Sequence, residues 1–271
     1  MHALAILLLV PALAAPAAAE TITINLSQQA RALDGKLVVD LTVGNSGDEA
    51  ALAVTPILRF RDAEARGTRR PSLAPDTSFD ETLSLPAGTL GEGRWPYGVA
   101  VDYTDQNQYA FQALQMQTLV VGSPPAAKVA VSAIRGEDLS GSGTLAFTLK
   151  NLTPESRTAR IHVLAPAGLD VMDGSRELSL DPWADTELMV SLTNRTVLAG
   201  SRYPVFVTAE YDDGPVHQAV VAQGSVAIVD AGSFLDQWGS RLQLAAIALG
   251  VAWLGYLGAH LLQQRPAAAR S

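Results

Sequence analysis

The chain has 271 residues, of which 48% are hydrophobic and 17% charged, and none is cysteine. The lack of cysteine excludes a disulfide scaffold, a thiolate metal site and a cysteine nucleophile. The net charge of −8 and the pI near 4.9 argue against nucleic-acid binding, because neutralising phosphates needs a basic surface.

The N-terminus predicts a signal peptide over residues 1–19. An apolar run over residues 3–13 is followed by small residues, with Ala17 and Ala19 at the positions that signal peptidase reads. Glu20 then becomes the mature N-terminus. The alternative is an uncleaved anchor, but this run is too short to cross a hydrocarbon core of about 30 Å.

A second apolar run predicts a transmembrane helix over residues 242–262. Its 21 residues carry no charge, and about 1.5 Å of rise per residue lets them cross a bilayer. Residues 231–241 form the juxtamembrane linker and residues 263–271 a short cytoplasmic tail. The alternative is a soluble protein with a buried apolar helix, which needs a large surrounding core.

The distribution of charge predicts the compartment. All 27 acidic residues precede Arg241, as do 16 of the 19 basic residues, so the exported part carries −11. An exported chain that lacks cysteine and is rich in alanine is typical of bacteria, since eukaryotic secreted domains commonly carry disulfides. We therefore predict a single-pass protein of the bacterial inner membrane, with its N-terminal part in the periplasm.

The segment between the two apolar ends alternates apolar and polar residues, which indicates β-strands. It also repeats itself with a spacing of about 106 to 108 residues. The spacing pairs Leu41 with Phe147 and Asn45 with Asn151, and it continues through the pairs Leu73 and Leu180, and Tyr103 and Tyr211. This repeat favours two copies of one domain over one continuous sheet.

Each copy contains about seven short strands separated by turn residues, which is typical of an immunoglobulin-like β-sandwich. The fold class is therefore all-β, with two tandem sandwiches followed by one C-terminal transmembrane helix. We place the first sandwich at residues 20–122, a stiff Ser-Pro-Pro linker at 123–125 and the second sandwich at 126–230. Among the strands, we predict residues 36–43 and 51–60 in the first copy and residues 144–150 and 187–192 in the second.

The second copy resembles the NPCBM-associated and CARDB-type bacterial Ig-like domains. The resemblance rests on the turn at residues 165–171, on Leu180-Asp181-Pro182 and on the strand at residues 200–207. Trp183 stands where that family usually has glycine. The resemblance implies an accessory or adhesion-like module on a bacterial envelope protein, often close to a membrane anchor, and it implies no catalytic residue.

The sequence offers little chemistry. His162 and His217 each lack a second ligand at metal-binding spacing on their own strand, and no nucleophile elbow or phosphate-binding loop occurs. Acidic turns could ligate calcium, although such residues usually satisfy backbone amides; they are Asp170, Asp173, Asp212 and Asp213. We predict no enzyme activity and no cofactor; an enzyme would need catalytic groups assembled from scattered loops.

Two features could carry recognition. A loop of the first copy is rich in arginine, and it is either a contact for an acidic partner or a solvated connection; its members are Arg59, Arg61, Arg66, Arg69 and Arg70. Small residues follow a 3-4-3-4 spacing along the apolar helix, and they form either a packing face or a chance run of common residues; they are Ala245, Ala248, Ala252, Gly255 and Ala259.

These observations predict a non-enzymatic interaction or scaffold module, acting as an accessory subunit of a membrane complex. Its partners would be envelope or inner-membrane proteins, or a second copy through the apolar helix. The alternative is a module that binds a polysaccharide or the cell wall. Sugar binding needs exposed rings, and the aromatic residues that cluster are Trp95, Tyr97, Tyr103, Tyr109 and Phe111.

Overall fold

A computed structural model describes residues 21–230 and, beyond them, positions 243, 244, 247–249, 253 and 256. The predicted signal peptide, the juxtamembrane linker and the cytoplasmic tail lie outside the described residues. Residues 21–230 are built almost entirely of antiparallel strands, which confirms the all-β class and its sandwich-like, immunoglobulin-like sheets.

The N-terminal sandwich consists of two sheets, one in the order β1-β2-β6 and one built on β3, β7 and β8. Short strands β4 and β5 pair with the outer edge of β3. Its strands are β1 (Ile24–Leu33), β2 (Lys36–Asn45), β3 (Ala51–Phe60), β4 (Ala63–Arg66), β5 (Arg70–Leu73), β6 (Thr77–Pro86), β7 (Gly93–Thr104) and β8 (Ala110–Val121).

The C-terminal sandwich repeats this order with one difference. Strand β12 pairs with β14 in the β12-β14-β10-β9 sheet, so only β13 extends the β11-β15-β16 sheet. Its strands are β9 (Val129–Gly136), β10 (Ser142–Asn151), β11 (Arg157–Leu164), β12 (Leu169–Met172), β13 (Ser175–Leu180), β14 (Asp185–Asn194), β15 (Arg202–Asp213) and β16 (Val216–Ala227).

Each sandwich has its own apolar core, because alternate residues of its strands point inward. In β2 the inward residues are Leu37, Val39, Leu41 and Val43, all buried between the two N-terminal sheets. In β10 the equivalent residues are Leu145, Phe147 and Leu149, in the second core.

The two sandwiches are also joined by backbone pairing. Strand β16 pairs with β7 in parallel at the single position His217–Gly93, which links their inner sheets into one nine-stranded assembly. The chain therefore has two separate cores, but one continuous path of hydrogen-bonded strands crosses from one sandwich to the other.

The predicted membrane segment is described at only a few positions. Gln243, Leu244, residues 247–249, Trp253 and Tyr256 are helical and exposed. Within residues 21–230 and these seven positions, no helix is long and apolar enough to cross a membrane.

Candidate functional site

The two sandwiches pack against each other through the outward faces of their β3-β7-β8 and β11-β15-β16 sheets. Ile57, Ala100 and Leu114 of the N-terminal sandwich form a buried cluster with Phe206 of the C-terminal one. Met116, Leu164 and Val221 pack around this cluster. We call these seven residues the apolar seam. Because its buried members come from both sandwiches, water is excluded between them and their relative position is held.

Polar contacts surround the seam. The Arg94 guanidinium donates to Gln218 Oε1 at 2.8 Å and to the backbone carbonyl of Pro125 in the linker. The Ala167 amide donates to Gln112 Oε1 at 3.0 Å, and the Gln218 side chain is fully buried. These bonds satisfy polar groups that the interface covers, as buried polar groups require.

A cleft of about 890 Å³ opens beside the seam, with walls from both sandwiches. Its lining combines apolar and charged side chains. A space of this size suits a small ligand or a peptide segment, since such sites are commonly concave, apolar and placed between domains. The aromatic and charged residues that line the cleft include Arg61, Trp95, Arg160, His162, Glu210 and His217.

At the rim, the Trp95 ring of the N-terminal sandwich stacks on the His217 ring of the C-terminal one. The ring centroids are 3.9 Å apart and the planes are inclined by 13°. Trp95 Nε1 donates to the backbone carbonyl of Gly91 at 3.1 Å, which fixes the indole. The stack is thus a contact between the two sandwiches made by two oriented rings.

His217 is held by carboxylates on both sides. Its Nδ1 lies 3.0 Å from Asp212 Oδ1 and its Nε2 lies 3.2 Å from Glu210 Oε2. Burial lowers the pKa of His217, but hydrogen bonds to Glu210 and Asp212 favour the charged ring and outweigh burial, so the pKa lies above its ordinary value of 6.5. The raised pKa favours the charged form of the His217 ring, which is attracted to the face of the Trp95 indole.

A second histidine reaches the same carboxylate. His162 Nε2 lies 4.0 Å from Glu210 Oε1, and its Nδ1 is 2.7 Å from Ser175 Oγ. Sequence reasoning treated each histidine on its own strand and missed this cluster, because Glu210 lies on β15 between β11 and β16. Within the described part of the chain, no three such side chains are arranged to hold a metal ion.

The structure separates the five arginines of the predicted contact. Arg59 and Arg66 share the Glu64 carboxylate at 3.1 and 3.0 Å. Arg70 lies 4.0 Å above the Phe79 ring, with its Nε buried and unpaired, so it packs on the sandwich. Arg69 is exposed and lines no part of the cleft.

Arg61 is the arginine that is most available to a ligand. Its guanidinium carbon lies 4.7 Å from the centroid of the Trp95 ring, and it makes no ion pair within residues 21–230. Its backbone φ of 53° turns the chain just after β3, and its side chain lines the cleft. Of the predicted set, Arg59 and Arg61 line the cleft, and Arg61 alone carries an unneutralised charge there.

The small-residue face of the apolar helix is described at one position. Ala248 is helical and exposed. Ala245, Ala252, Gly255 and Ala259 lie outside the described residues.

The aromatic residues considered for sugar binding do not form an exposed platform within residues 21–230. Burial raises the pKa of Tyr97 to about 12, and the same cause raises the pKa of Tyr103 to about 12. Tyr103 also stacks on Phe111, with 5.5 Å between ring centroids. Within residues 21–230, two large aromatic side chains are exposed, Tyr109 on one sandwich and Trp183 on the other.

Three of the four acidic residues considered for calcium, all except Asp173, face cationic side chains of the chain. Asp170 Oδ2 accepts from Arg195 Nε at 2.7 Å, and Asp212 faces His217. Asp213 lies between Lys128 and Arg157, at 2.8 and 3.2 Å. These carboxylates are thus neutralised by side chains at the distances of ordinary ion pairs.

Comparisons with known proteins give distant structural likenesses and nothing closer. No family model and no curated protein matches the sequence. Three solved structures illustrate the likeness. Red sea bream transglutaminase has 11% identity and a TM-score of 0.28, covering 76% of this chain and 31% of its own. A mutant Salmonella alpha-2-macroglobulin has 14% identity and a TM-score of 0.32, covering 77% and 16%. Trypsin-activated Escherichia coli alpha-2-macroglobulin has 12% identity and a TM-score of 0.32, covering 77% and 18%.

The chain therefore spans less than a third of the length of these structures. At such TM-scores the superpositions carry no inference about activity, substrates or partners, because one fold hosts many functions.

Proposed function

We propose that this chain is a non-enzymatic protein of the bacterial envelope that binds and positions other envelope proteins, anchored by its C-terminal apolar segment. It would act as an accessory subunit of a membrane complex. The observation that supports this most is the fixed pairing of the two sandwiches, with a two-walled cleft left open beside the apolar seam.

A fixed pair of sandwiches suits positioning better than flexible tethering. Binding costs less conformational entropy when the two walls of a site are already held in place. The hydrogen bonds from Arg94 to the linker and to Gln218 extend this restraint to the connection between the sandwiches. A partner segment in the cleft would then have a defined direction relative to the anchor.

The free charge of Arg61 indicates where a partner would make its strongest polar contact. The guanidinium lies over Trp95, so a carboxylate or a backbone carbonyl of the partner could pair with it without displacing an existing ion pair. Replacing an interface arginine of this kind by alanine weakens the free energy of binding by about 2 kcal/mol or more when the arginine is a hot spot.

Crosslinking in intact cells tests the proposal. The full chain carries a C-terminal tag, the membranes are dissolved in mild detergent, and proteins that copurify are identified by mass spectrometry. We expect a stoichiometric envelope protein. Arg61→Ala should reduce its recovery at least tenfold, while Arg69→Ala, an exposed arginine outside the cleft, should leave it unchanged.

The same preparation tests the anchor. Ala252→Leu together with Gly255→Leu enlarges two side chains of the predicted packing face, and loss of the partner would place part of the interface in the membrane. If neither Arg61→Ala nor this pair changes recovery of a captured partner, the proposed contacts are wrong.

The alternative function, binding of a polysaccharide or the cell wall, has one favourable observation: the indole of Trp183 is 65% exposed and Tyr109 is 55% exposed. Exposed rings of this kind can stack on sugars. Retained polysaccharide without a protein partner, lost in Tyr109→Ala or Trp183→Ala variants that keep their fold, would favour this function over ours.

A further inference from the structure

The contact between Trp95 and His217 depends on how His217 is protonated. Each ring nitrogen of His217 faces a carboxylate oxygen, Asp212 Oδ1 at 3.0 Å and Glu210 Oε2 at 3.2 Å. A carboxylate only accepts hydrogen bonds, so both contacts are satisfied together only when both ring nitrogens carry hydrogen. The two contacts together therefore fit the imidazolium ion.

Loss of one proton changes this arrangement. The bare ring nitrogen would then face a carboxylate oxygen across about 3 Å, and two acceptors repel at that distance. The ring or the facing carboxylate must move to relieve the repulsion, and the attraction of the ring as a cation to the face of Trp95 is lost. The loss of this attraction acts directly on the contact between the sandwiches.

Other charged groups line the two cavities that His217 borders, among them Arg59, Asp62 and Arg157. Arg61 of the N-terminal sandwich lies over the same indole at 4.7 Å. Strand β11 adds Arg160, which pairs with Glu177 of β13, and His162, 4.0 Å from Glu210. The backbone carbonyl of Glu92, just before β7, accepts from the His217 amide at 3.2 Å. The carboxylates of Glu210 and Asp212 remain the groups nearest to the ring.

The beginning of β16, where His217 lies, also forms the backbone bridge between the two sandwiches. His217 pairs with Gly93, and the carbonyl oxygen of His217 would be 2.2 Å from a Cβ atom added at Gly93. The backbone of β16 is thus tightly fitted against β7 at the residue whose side chain stacks on Trp95. A movement of the His217 ring would therefore occur at the residue whose backbone pairs with the other sandwich.

We infer that His217 is a pH-responsive latch between the two sandwiches: charged, it holds Trp95 and narrows the interdomain cleft, and neutral, it releases that contact. The latch would regulate access of a partner to the cleft. This regulatory role rests on the proposed function, whereas the pH-dependent contact itself does not. The raised pKa of His217 determines the direction in which the contact responds to pH. A group whose folded pKa is raised stabilises its contact at low pH and loses that contribution as the pH rises through the folded value.

The latch can be measured on the full chain without any partner. The chain has no cysteine, so spin labels can be placed at Ser84→Cys and Ser191→Cys, two exposed positions on the outer sheets. The distance between the labels is recorded in detergent from about pH 5.5 to about pH 8.5. We expect a narrow distribution at the acid end that broadens as the pH rises, with a midpoint above 6.5.

Matched variants assign the effect. His217→Gln should give the broad distribution at every pH, because glutamine cannot become a cation. His162→Gln changes the other histidine beside Glu210, and it should leave the pH response intact. Asp212→Asn removes one carboxylate and should move the midpoint to lower pH without abolishing the response.

Histidine ring NMR on the same samples follows the protonation of His217 directly. A distribution that stays equally narrow across this pH range would overturn the latch, above all if NMR shows that His217 titrates within it. A pH response that survives His217→Gln would also overturn it. These outcomes are distinct from failure of the proposed function, which is judged by partner capture alone.

Discussion

Asn45 and Asn151, 106 residues apart, make the same buried hydrogen bonds at the ends of β2 and β10. Asn45 Nδ2 donates to the carbonyls of Glu49 at 2.7 Å and Leu73 at 3.2 Å. Asn151 Nδ2 donates to the carbonyl of Glu155 at 2.7 Å and to those of Leu180 and Asp181. Each side chain therefore ties a strand end to two separate turns, which gives the sequence repeat a physical cause.

We predict that removing either amide destabilises its sandwich. Asn45→Ala or Asn151→Ala leaves buried carbonyls without donors, at a cost of about 2 to 3 kcal/mol in the free energy of unfolding. Urea unfolding measures this cost. Asn25→Ala, which removes one exposed bond to Ser46 Oγ, is the control and should cost less than about 0.5 kcal/mol. Equal losses in all three variants would contradict the role of the buried amides.

A second repeated feature is a left-handed residue after the Leu-x-Pro turn. Asp76 has a φ of 54° and Trp183 has a φ of 56°. Tryptophan is poorly suited to this region, where L residues other than glycine, asparagine and aspartate pay about 1 to 2 kcal/mol. Glycine at this position would adopt the same backbone without strain.

Trp183→Gly should therefore leave the free energy of unfolding unchanged or raise it by up to about 1 kcal/mol, because relief of strain exceeds the extra entropy of an unfolded glycine. Little packing is lost, since the side chain is 65% exposed. Trp183→Val should instead destabilise by about 1 kcal/mol, since a β-branched residue suits the left-handed region least. Thermal unfolding of the two variants measures this difference in stability. Equal stability of the valine and glycine variants would show that the backbone at Trp183 is not strained.

Much of the fold was predictable because most strands are long and buried on one face. The strand predicted at residues 51–60 is observed at Ala51–Phe60, and the one predicted at 144–150 lies within Ser142–Asn151. The short strands β4 and β12 were missed, because four residues are too few to show alternation.

The strands at the interface between the sandwiches contain consecutive apolar residues, a pattern that simple alternation does not explain. In β15, Val205, Phe206 and Val207 are consecutive and all buried, and Val99, Ala100 and Val101 repeat this in β7. Consecutive apolar residues indicate a strand covered on both faces. The partner of the second face could not be read from the sequence, because it depends on how two separately folded sandwiches meet.

The histidine cluster was out of reach for a related reason. His162, Glu210 and His217 lie on three strands, and their proximity follows only from the register of β15 against both neighbours. Likewise, Arg61 differs from the other four arginines only through its position beside Trp95. Composition drew attention to the arginine-rich loop, and only the tertiary structure distinguishes Arg61 within it.

The apolar seam predicts that the two sandwiches unfold as a coupled unit. Phe206→Ala removes a ring that is 2% exposed and should lower the free energy of unfolding of the pair by about 3 kcal/mol. Calorimetry should then resolve two transitions in place of one. Met189→Ala is the control, since this side chain is 60% exposed on an outer sheet and should change stability by less than about 0.5 kcal/mol. A variant at Phe206 that keeps a single unshifted transition would show that the seam contributes nothing.

A last prediction concerns Asp213, the last residue of β15, which lies between two cations, one just before β9 and one at the start of β11. Lys128 Nζ approaches it at 2.8 Å and Arg157 Nη1 at 3.2 Å, and the Asp213 side chain is only 17% exposed. The hydrogen bond and charge of Lys128, reinforced by Arg157, hold the pKa of the Asp213 carboxyl below its ordinary value of 3.8. The carboxylate thus neutralises two cations at the start of the C-terminal sandwich.

Asp213→Asn should lower the melting temperature at neutral pH, because it leaves a half-buried Lys128 and a buried Arg157 without their shared anion. A lowered folded pKa gives stability that is present above about pH 3.8 and is lost as the pH falls through the folded value, so the gap between variant and parent should close in acid. Thermal melts from neutral to acid pH measure that gap. Asp185→Asn, which breaks an exposed pair with Lys150, is the control and should show almost no gap at any pH. A gap that persists unchanged below the folded pKa would mean that Asp213 acts through its shape and not through its charge.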